Sequence, residues 1–460
     1  MCSLRWPLLA LSLLASLASA QQDGIGDPTF PTLGNKGYKA THYKLKINYN
    51  PDTNLLKGDV TMDAVASTDL STFSVDFTGF EVSAVKLNGS AVPFERTDIK
   101  LRIKPSKALA SGSTFTIETI YSGSPSQGQS AALPPGIKSG WIHFTGGAVA
   151  VCEPELAHTW FPCNDHPLNK ATFEVDVTAP APYVSISNGV GTPAGPNTTH
   201  YVLDKPAMTC MATVCFGKFG TLKQVGPNRL PITNYVPLGQ EAVYLTRLGV
   251  TPKFMQYLSN HIGPYPFSSY GTILLPDAVR GVNDLMSGSA IECTSIPVFG
   301  PSGATSPETL CHELTHQWMG DCVSVSNWGD DIWWVEGFAQ YSEWLLAEVT
   351  DGPTAYDRAV KAVYSQFSSQ PHWLHPGHLS AQEMFGAGSY VGGGLTFHAL
   401  RKELGDEKFF TTVKKFIERN RYGNGSSNDW IEISSQVSGK DMKPFFETWL
   451  YGDSVPKLPI

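Results

Sequence analysis

Near its middle this chain changes hydrophobic period, and that change limits its folds more than any other feature. From about Tyr38 to Gly220 the apolar residues alternate in short runs: His42–Asn48, Lys57–Ala66, Phe73–Phe77, Ile99–Ile103 and Thr114–Ile120. Clusters of Gly, Asn, Pro and Ser separate them. Alternation means a strand with one face buried, and runs at this spacing predict an antiparallel sandwich or saddle-shaped sheet. After about Val236 the period becomes helical, over Thr251–His261, Ser306–Met319, Asp331–Val349, Thr354–Gln366, Gly392–Glu403 and Glu407–Arg419. Strands first and helices afterwards define an α+β protein with segregated layers. The expected division is an N-terminal β-sheet domain over residues 21–230 and a mainly helical domain over 231–460.

The first twenty residues stand apart. Arg5 is followed by an apolar run from Trp6 to Leu17 and by the small residues Ala18-Ser19-Ala20, the order of a secretory signal peptide. The run is too short for a retained membrane span. A core helix would need a polar face, which it lacks. Removal of this leader takes the formal charge from −8 to −9. The mature protein is therefore expected to be soluble and extracellular. A mildly acidic chain without a basic cluster gives no reason to expect nucleic acid or anionic membrane as partner. The oligomeric state stays open, and a monomer is compatible with the sequence. With 42% apolar residues the chain is globular in composition. Its length exceeds what one hydrophobic core usually serves.

Three sequons, at Asn88, Asn197 and Asn424, are expected on surface loops. Past the leader seven cysteines remain, so at least one thiol is free or pairs with another chain. Cys210 and Cys215, five apart on an expected strand, point to opposite faces. Cys311 and Cys322, if on one helix, lie about 16 Å apart, too far to bridge. Nothing supports or excludes Cys152 with Cys163.

Chemistry enters at Thr309-Leu310-Cys311-His312-Glu313-Leu314-Thr315-His316-Gln317-Trp318. His-Glu-x-x-His inside a helical pattern puts two imidazoles one turn apart on one face, aimed at a single point. A catalytic zinc wants such neutral nitrogen ligands and one position left for water. Glu313 leaves the helix about 100° from His312, which sets its carboxylate beside the metal to take a proton from water. The following helical segment holds Trp334-Val335-Glu336-Gly337-Phe338, and Glu336 completes a His₂Glu ligand set for one Zn²⁺. Glu343, two turns beyond, is either a hydrogen-bond partner for a ligating histidine or a solvated acid.

These stretches, His312 to Asp321 and Trp333 to Tyr341, resemble the M1 (gluzincin) aminopeptidases. So do Cys152-Glu153-Pro154, Trp160 to Pro167, Lys170 to Phe173, and Gly263-Pro264-Tyr265-Pro266-Phe267. Pro444 to Leu450 is similar to the end of that family's catalytic domain, so a short form lacking the helical C-terminal domain is expected. The resemblance implies an N-terminal sheet domain on a thermolysin-like catalytic domain, and release of the N-terminal residue from peptides with a free N-terminus. It implies further roles. Glu292, in Ser289-Ala290-Ile291-Glu292-Cys293, takes the place of the glutamate that binds the substrate's α-amine. Glu153 matches a second amine-binding group. Tyr390, in Tyr390-Val391-Gly392-Gly393, takes the place of the tyrosine that stabilises the oxyanion. Trp318 and Asp321 read as structural.

The chain departs from the family at several points. Ile291 and Cys293 replace Met and Asn of the amine-binding stretch, Val335 replaces the Asn before the ligand glutamate, and the Lys after the tyrosine is gone. Nineteen residues rather than eighteen separate His316 from Glu336, with the one-residue insertion placed at Asp330-Asp331. In the loop this is harmless; within the helix it would turn Glu336 away by about 100°. Two other functions therefore remain: a zinc endopeptidase with the same metal site, and a peptide-binding relative with weakened turnover.

Overall fold

The computed structural model describes residues 24–97, 99–280, 284–301, 306–368 and 375–459. The expected signal peptide lies outside them. The largest sheet has eight strands and is built around Tyr38–Asn50 and Leu55–Ala66. Along the first of these, Tyr43, Leu45, Ile47 and Tyr49 are buried while Lys44 and Lys46 face solvent, the alternation read from sequence. One pairing departs from the antiparallel expectation: Tyr38–Asn50 runs parallel to Ala171–Thr178. Parallel neighbours need a long crossover, and here the intervening chain builds further sheets.

One of these, completed by chain beyond Thr178, is a five-stranded sheet containing Ser139–Phe144, Gly147–Val151, Val184–Ser187 and Val214–Gly217. The chain leaves Gly147–Val151 directly into Cys152 and Glu153. A second five-stranded sheet runs Phe219–Val225, Pro231–Pro237, Tyr270–Leu274, Val298–Phe299, Ala290–Ile291. Its first hairpin carries residue 230 in its turn and pairs onward with Tyr270–Leu274, so this sheet begins at Phe219. Its far edge, Ala290–Ile291, delivers Glu292.

All six expected helices form, with shifted ends. Ser306 caps the helix Pro307–His316 through its Oγ, which accepts from Thr309 N at 3.1 Å. This helix stops three residues before Met319 because the chain turns at Gly320, whose φ is 139°. Cys311 and Cys322 are thus not on one helix. Asn327 caps the next helix, Trp328–Asp351, which ends at Gly352 with φ 86°. Helices Glu241–Arg247, Ser427–Ser438 and Lys443–Tyr451 lie outside the expected set. The second of these is rich in Ser and β-branched residues, which disfavour helix. A Ser426–Asp429 capping box and burial of Trp430 and Ile433 override that.

The seven cysteines past the leader are buried and unpaired, with Cys210 in a 3₁₀ turn rather than on a strand. Asn88 and Asn197 are exposed on turns. Asn424 is not on a free loop: its Nδ2 donates to Pro167 O at 3.1 Å and to Val325 O at 2.8 Å. No helix among the described residues is long and apolar enough to cross a membrane. The halves are joined at Lys170, whose buried ammonium donates to Asp321 O, Cys322 O and Ser324 Oγ at 2.7, 2.9 and 2.9 Å.

Candidate active site

The helices Pro307–His316 and Trp328–Asp351 pack side by side, and their shared face is the centre of the site. Nε2 of His312 and Nε2 of His316 both face Oε2 of Glu336, at 3.4 and 3.5 Å. The three side chains are buried, and their ligand atoms lie within 4.8 Å of one another. Each ring is aimed by its other nitrogen. Nδ1 of His312 lies 2.9 Å from Glu343 Oε1, and Nδ1 of His316 lies 3.1 Å from Met319 O. With Nδ1–H donating, both Nε2 lone pairs point at the common centre. Glu343 is therefore the partner of a histidine. The carbonyl of Met319 had no sequence signal, because any residue supplies one.

Asp330 and Asp331 fall inside the second helix, in its first turn, and yet Glu336 faces the histidines. The helix is held downstream. Gly337 meets the backbone of Gly393 so closely that a Cβ would clash. Lengthening such a helix at its free start adds a turn residue without rotating the residues beyond it. Asp331 closes that start, accepting from Asn327 N at 3.0 Å and Ser427 N at 2.7 Å.

Around this centre lie Glu153, Glu292, Glu313 and Tyr390, which line one cavity of about 210 Å³ with His312, His316 and Glu336. Leu133, Leu285, Ile291 and Phe385 supply its apolar walls. Glu153 and Glu292 arrive from different domains, and with Glu336 they form a second group whose oxygens lie within 4.8 Å of one another. Oε1 of Glu153, Oε1 of Glu292 and Oε2 of Glu313 are buried without a hydrogen-bond partner among the described residues. Burial first, and then the charge of Glu292, push the Glu153 carboxyl well above its ordinary value. Burial also pushes Glu313 up to about 8, against the pull of His312 and His316. Carboxyl oxygens without hydrogen-bond partners in a dry cavity suit a cationic occupant, whose charge would bring them back to the ionised form. Two oriented imidazoles and a carboxylate fit a zinc ion in particular.

Tyr390 sits in a π-helical turn, Gly388–Gly392, that leads into the helix Gly393–Leu404. Such turns re-aim a side chain without ending the helix. The Tyr390 ring stacks on His312, with centroids 5.8 Å apart and planes 20° off parallel. Burial pushes the phenol well above its ordinary value, so its hydroxyl remains a donor. All seven residues singled out from the sequence thus meet in one place.

This fold and this site define a two-domain protein with a peptidase-type His₂Glu metal centre. The chain belongs to peptidase family M1: the family's catalytic domain matches residues 247–449, and its N-terminal domain matches residues 39–208. Among curated proteins it is similar to Aminopeptidase M1-C of Oryza sativa subsp. japonica, 26% identical over 68% of this chain and 38% of that protein. It is also similar to Endoplasmic reticulum aminopeptidase 2 of Homo sapiens, 24% identical over 64% of this chain and 33% of that one. The chain thus spans well under half the length of these relatives. Among solved structures it resembles an M1 zinc metallopeptidase from Deinococcus radiodurans, with TM-score 0.86, 29% identity, and coverage of 95% of this chain and 98% of that one.

Proposed function

We propose that this protein is an exported zinc aminopeptidase that hydrolyses the N-terminal residue from peptides. The observation that carries the reading is the pair of buried carboxyl groups, Glu153 and Glu292, each with an oxygen that makes no hydrogen bond among the described residues, beside the His₂Glu centre. A peptide's terminal ammonium satisfies both, and anchoring it there brings the first peptide bond to the metal side of the cavity. A glutamate-to-alanine mutant of the solved relative from Deinococcus radiodurans is bound to a Tyr-Ser-Ala substrate, which supports a short peptide as ligand. The apolar walls made by Leu133, Leu285, Ile291 and Phe385 favour an apolar first side chain.

His312, His316 and Glu336 hold the zinc, which when bound supplies Lewis acidity toward the scissile carbonyl and toward water. Glu313 accepts the attacking water's proton and hands it to the leaving amine. The protonated Tyr390 hydroxyl donates to the oxygen that gains negative charge. Glu343 and Met319 O keep both histidines in the ligating tautomer.

Export rests on the leader at residues 1–20. If the host glycosylates, Asn88 and Asn197 are the acceptors. A glycan on Asn424 would replace one hydrogen of Nδ2 and so cost at least one of its two hydrogen bonds.

The test is release of the first residue from matched free and N-acetylated peptides, with and without a zinc chelator. Chelator-sensitive cleavage of free N-termini only, reduced about 10²–10⁴-fold in Glu313→Gln, is expected. Internal cleavage of acetylated peptides would instead make the protein an endopeptidase. No turnover despite bound zinc would make it a binding protein.

A further inference from the structure

Glu292 lies at the start of a short segment gripped by groups that have no part in bond cleavage. Three residues on, Ser295 holds φ 66°, a left-handed conformation that a serine keeps only when its surroundings impose it. From the catalytic domain, Gln317 closes on both ends of this segment. Its Nε2 donates to Glu292 O at 3.0 Å, and its Oε1 accepts from Ser295 N at 2.7 Å. Thr294 Oγ1 donates to Asp321 Oδ1 at 2.6 Å. From the sheet domain, Asn188 Nδ2 donates to Thr294 O at 2.6 Å and Met211 O at 3.0 Å, while its Oδ1 accepts from Thr213 N at 2.7 Å. Gly189 N donates to Ser295 Oγ at 2.8 Å.

Both amides are buried, at 0% and 4% exposure. Each is anchored to something that the amine site must be aligned with. Gln317 follows His316 directly. Asn188 follows the strand Val184–Ser187, which lies in the same sheet as the strand leading to Glu153. A buried amide with its bonds made in a dry interior has one orientation, whereas an apolar isostere leaves main-chain groups unpaired and the segment free to relax.

We propose that Gln317 and Asn188 are positioning residues for recognition of the free amine. They set Glu292 against Glu153 and the metal centre without touching the substrate. This rests on the reading of Glu292 as an amine acceptor.

The experiment compares two inhibitors that chelate the metal identically, leucine hydroxamate and its des-amino counterpart, 4-methylpentanohydroxamate. Their inhibition constants are measured on the zinc-loaded enzyme and on Glu292→Ala, Gln317→Met and Asn188→Ala, with zinc content and thermal midpoint recorded. In Gln317→Met and Asn188→Ala the preference for the amine-bearing inhibitor is expected to fall about tenfold, with des-amino affinity held within about threefold. If Glu292→Ala alone abolishes the preference and Gln317→Met keeps it, the positioning role is overturned. Equal weakening of both inhibitors overturns it too, because a merely structural role does not discriminate between them. If Glu292→Ala keeps the preference, the amine-acceptor reading itself fails. Should Asn188→Ala not fold, Gln317→Met decides alone.

Discussion

On the metal side, the proposed ligands come from two adjacent helices, with His312 and Glu336 only 24 residues apart in the chain. On the amine side, Glu153 and Glu292 come from the ends of strands in two sheets of different domains. The first arrangement depends on helical period and one helix–helix contact. The second depends on how two domains dock. Damage to the metal side should therefore remove chemistry or zinc, whereas damage at the domain seam should disturb alignment and stability while leaving the helix pair intact.

The largest expected effect that sharpens this contrast is at Tyr390. Tyr390→Phe should lower kcat about 10²–10³-fold with KM and zinc content little changed, read by steady-state kinetics and metal analysis. A comparable rise in KM alone would move Tyr390 from the reacting oxygen to substrate binding. Glu343→Ala should weaken zinc about 10–100-fold, measured by competition with a chelator, with activity restored in excess zinc. Unchanged zinc affinity would show that the hydrogen bond to His312 contributes nothing to holding the metal.

At the seam, Lys170→Met leaves the carbonyls of Asp321 and Cys322 without their donor. It should cost about 3 kcal/mol, seen as a lower thermal midpoint. An unchanged midpoint would break the contrast, because the seam would then be held without this pin. The smallest effect lies away from both sides. His398 is buried, accepts from Tyr356 Oη at 2.7 Å and donates to Pro459 O at 3.1 Å. Burial first lowers its pKa to about 4 from the ordinary 6.5. Its contribution to stability is full above pH 6.5 and is lost as the pH falls toward about 4, because only the unfolded chain takes up the proton. His398→Gln should flatten that decline by on the order of 2 kcal/mol, compared by denaturant titration at both pH values. An unaltered slope would place the acid sensitivity elsewhere.

The metal side was legible because helical spacing is a property of neighbours in sequence. His312, Glu313 and His316 declare a face, and Glu336 and Glu343 fall two turns apart on the next helix. Helix ends were less legible, since Gly320 and Asn327 set them through local turns that periodicity does not register. The helix Ser427–Ser438 was hidden by its own propensities, and only the packing of Trp430 and Ile433 outweighs them. On the amine side the residues themselves carried no signal. Glu153, Glu292 and Tyr390 were located by resemblance, and Gln317 and Asn188 were not located at all.

By itself the sequence determined the order of sheet and helical layers and which residues are proposed as metal ligands and general base, since each follows from period and spacing within one or two elements. Tertiary structure alone decided that Glu336 faces the histidines with Asp330 and Asp331 inside its own helix, because the close contact of Gly337 with Gly393 holds the helix downstream. It alone decided that two orphaned carboxylates meet beside the metal centre, for that distance is set by packing between domains whose contacts lie far apart along the chain.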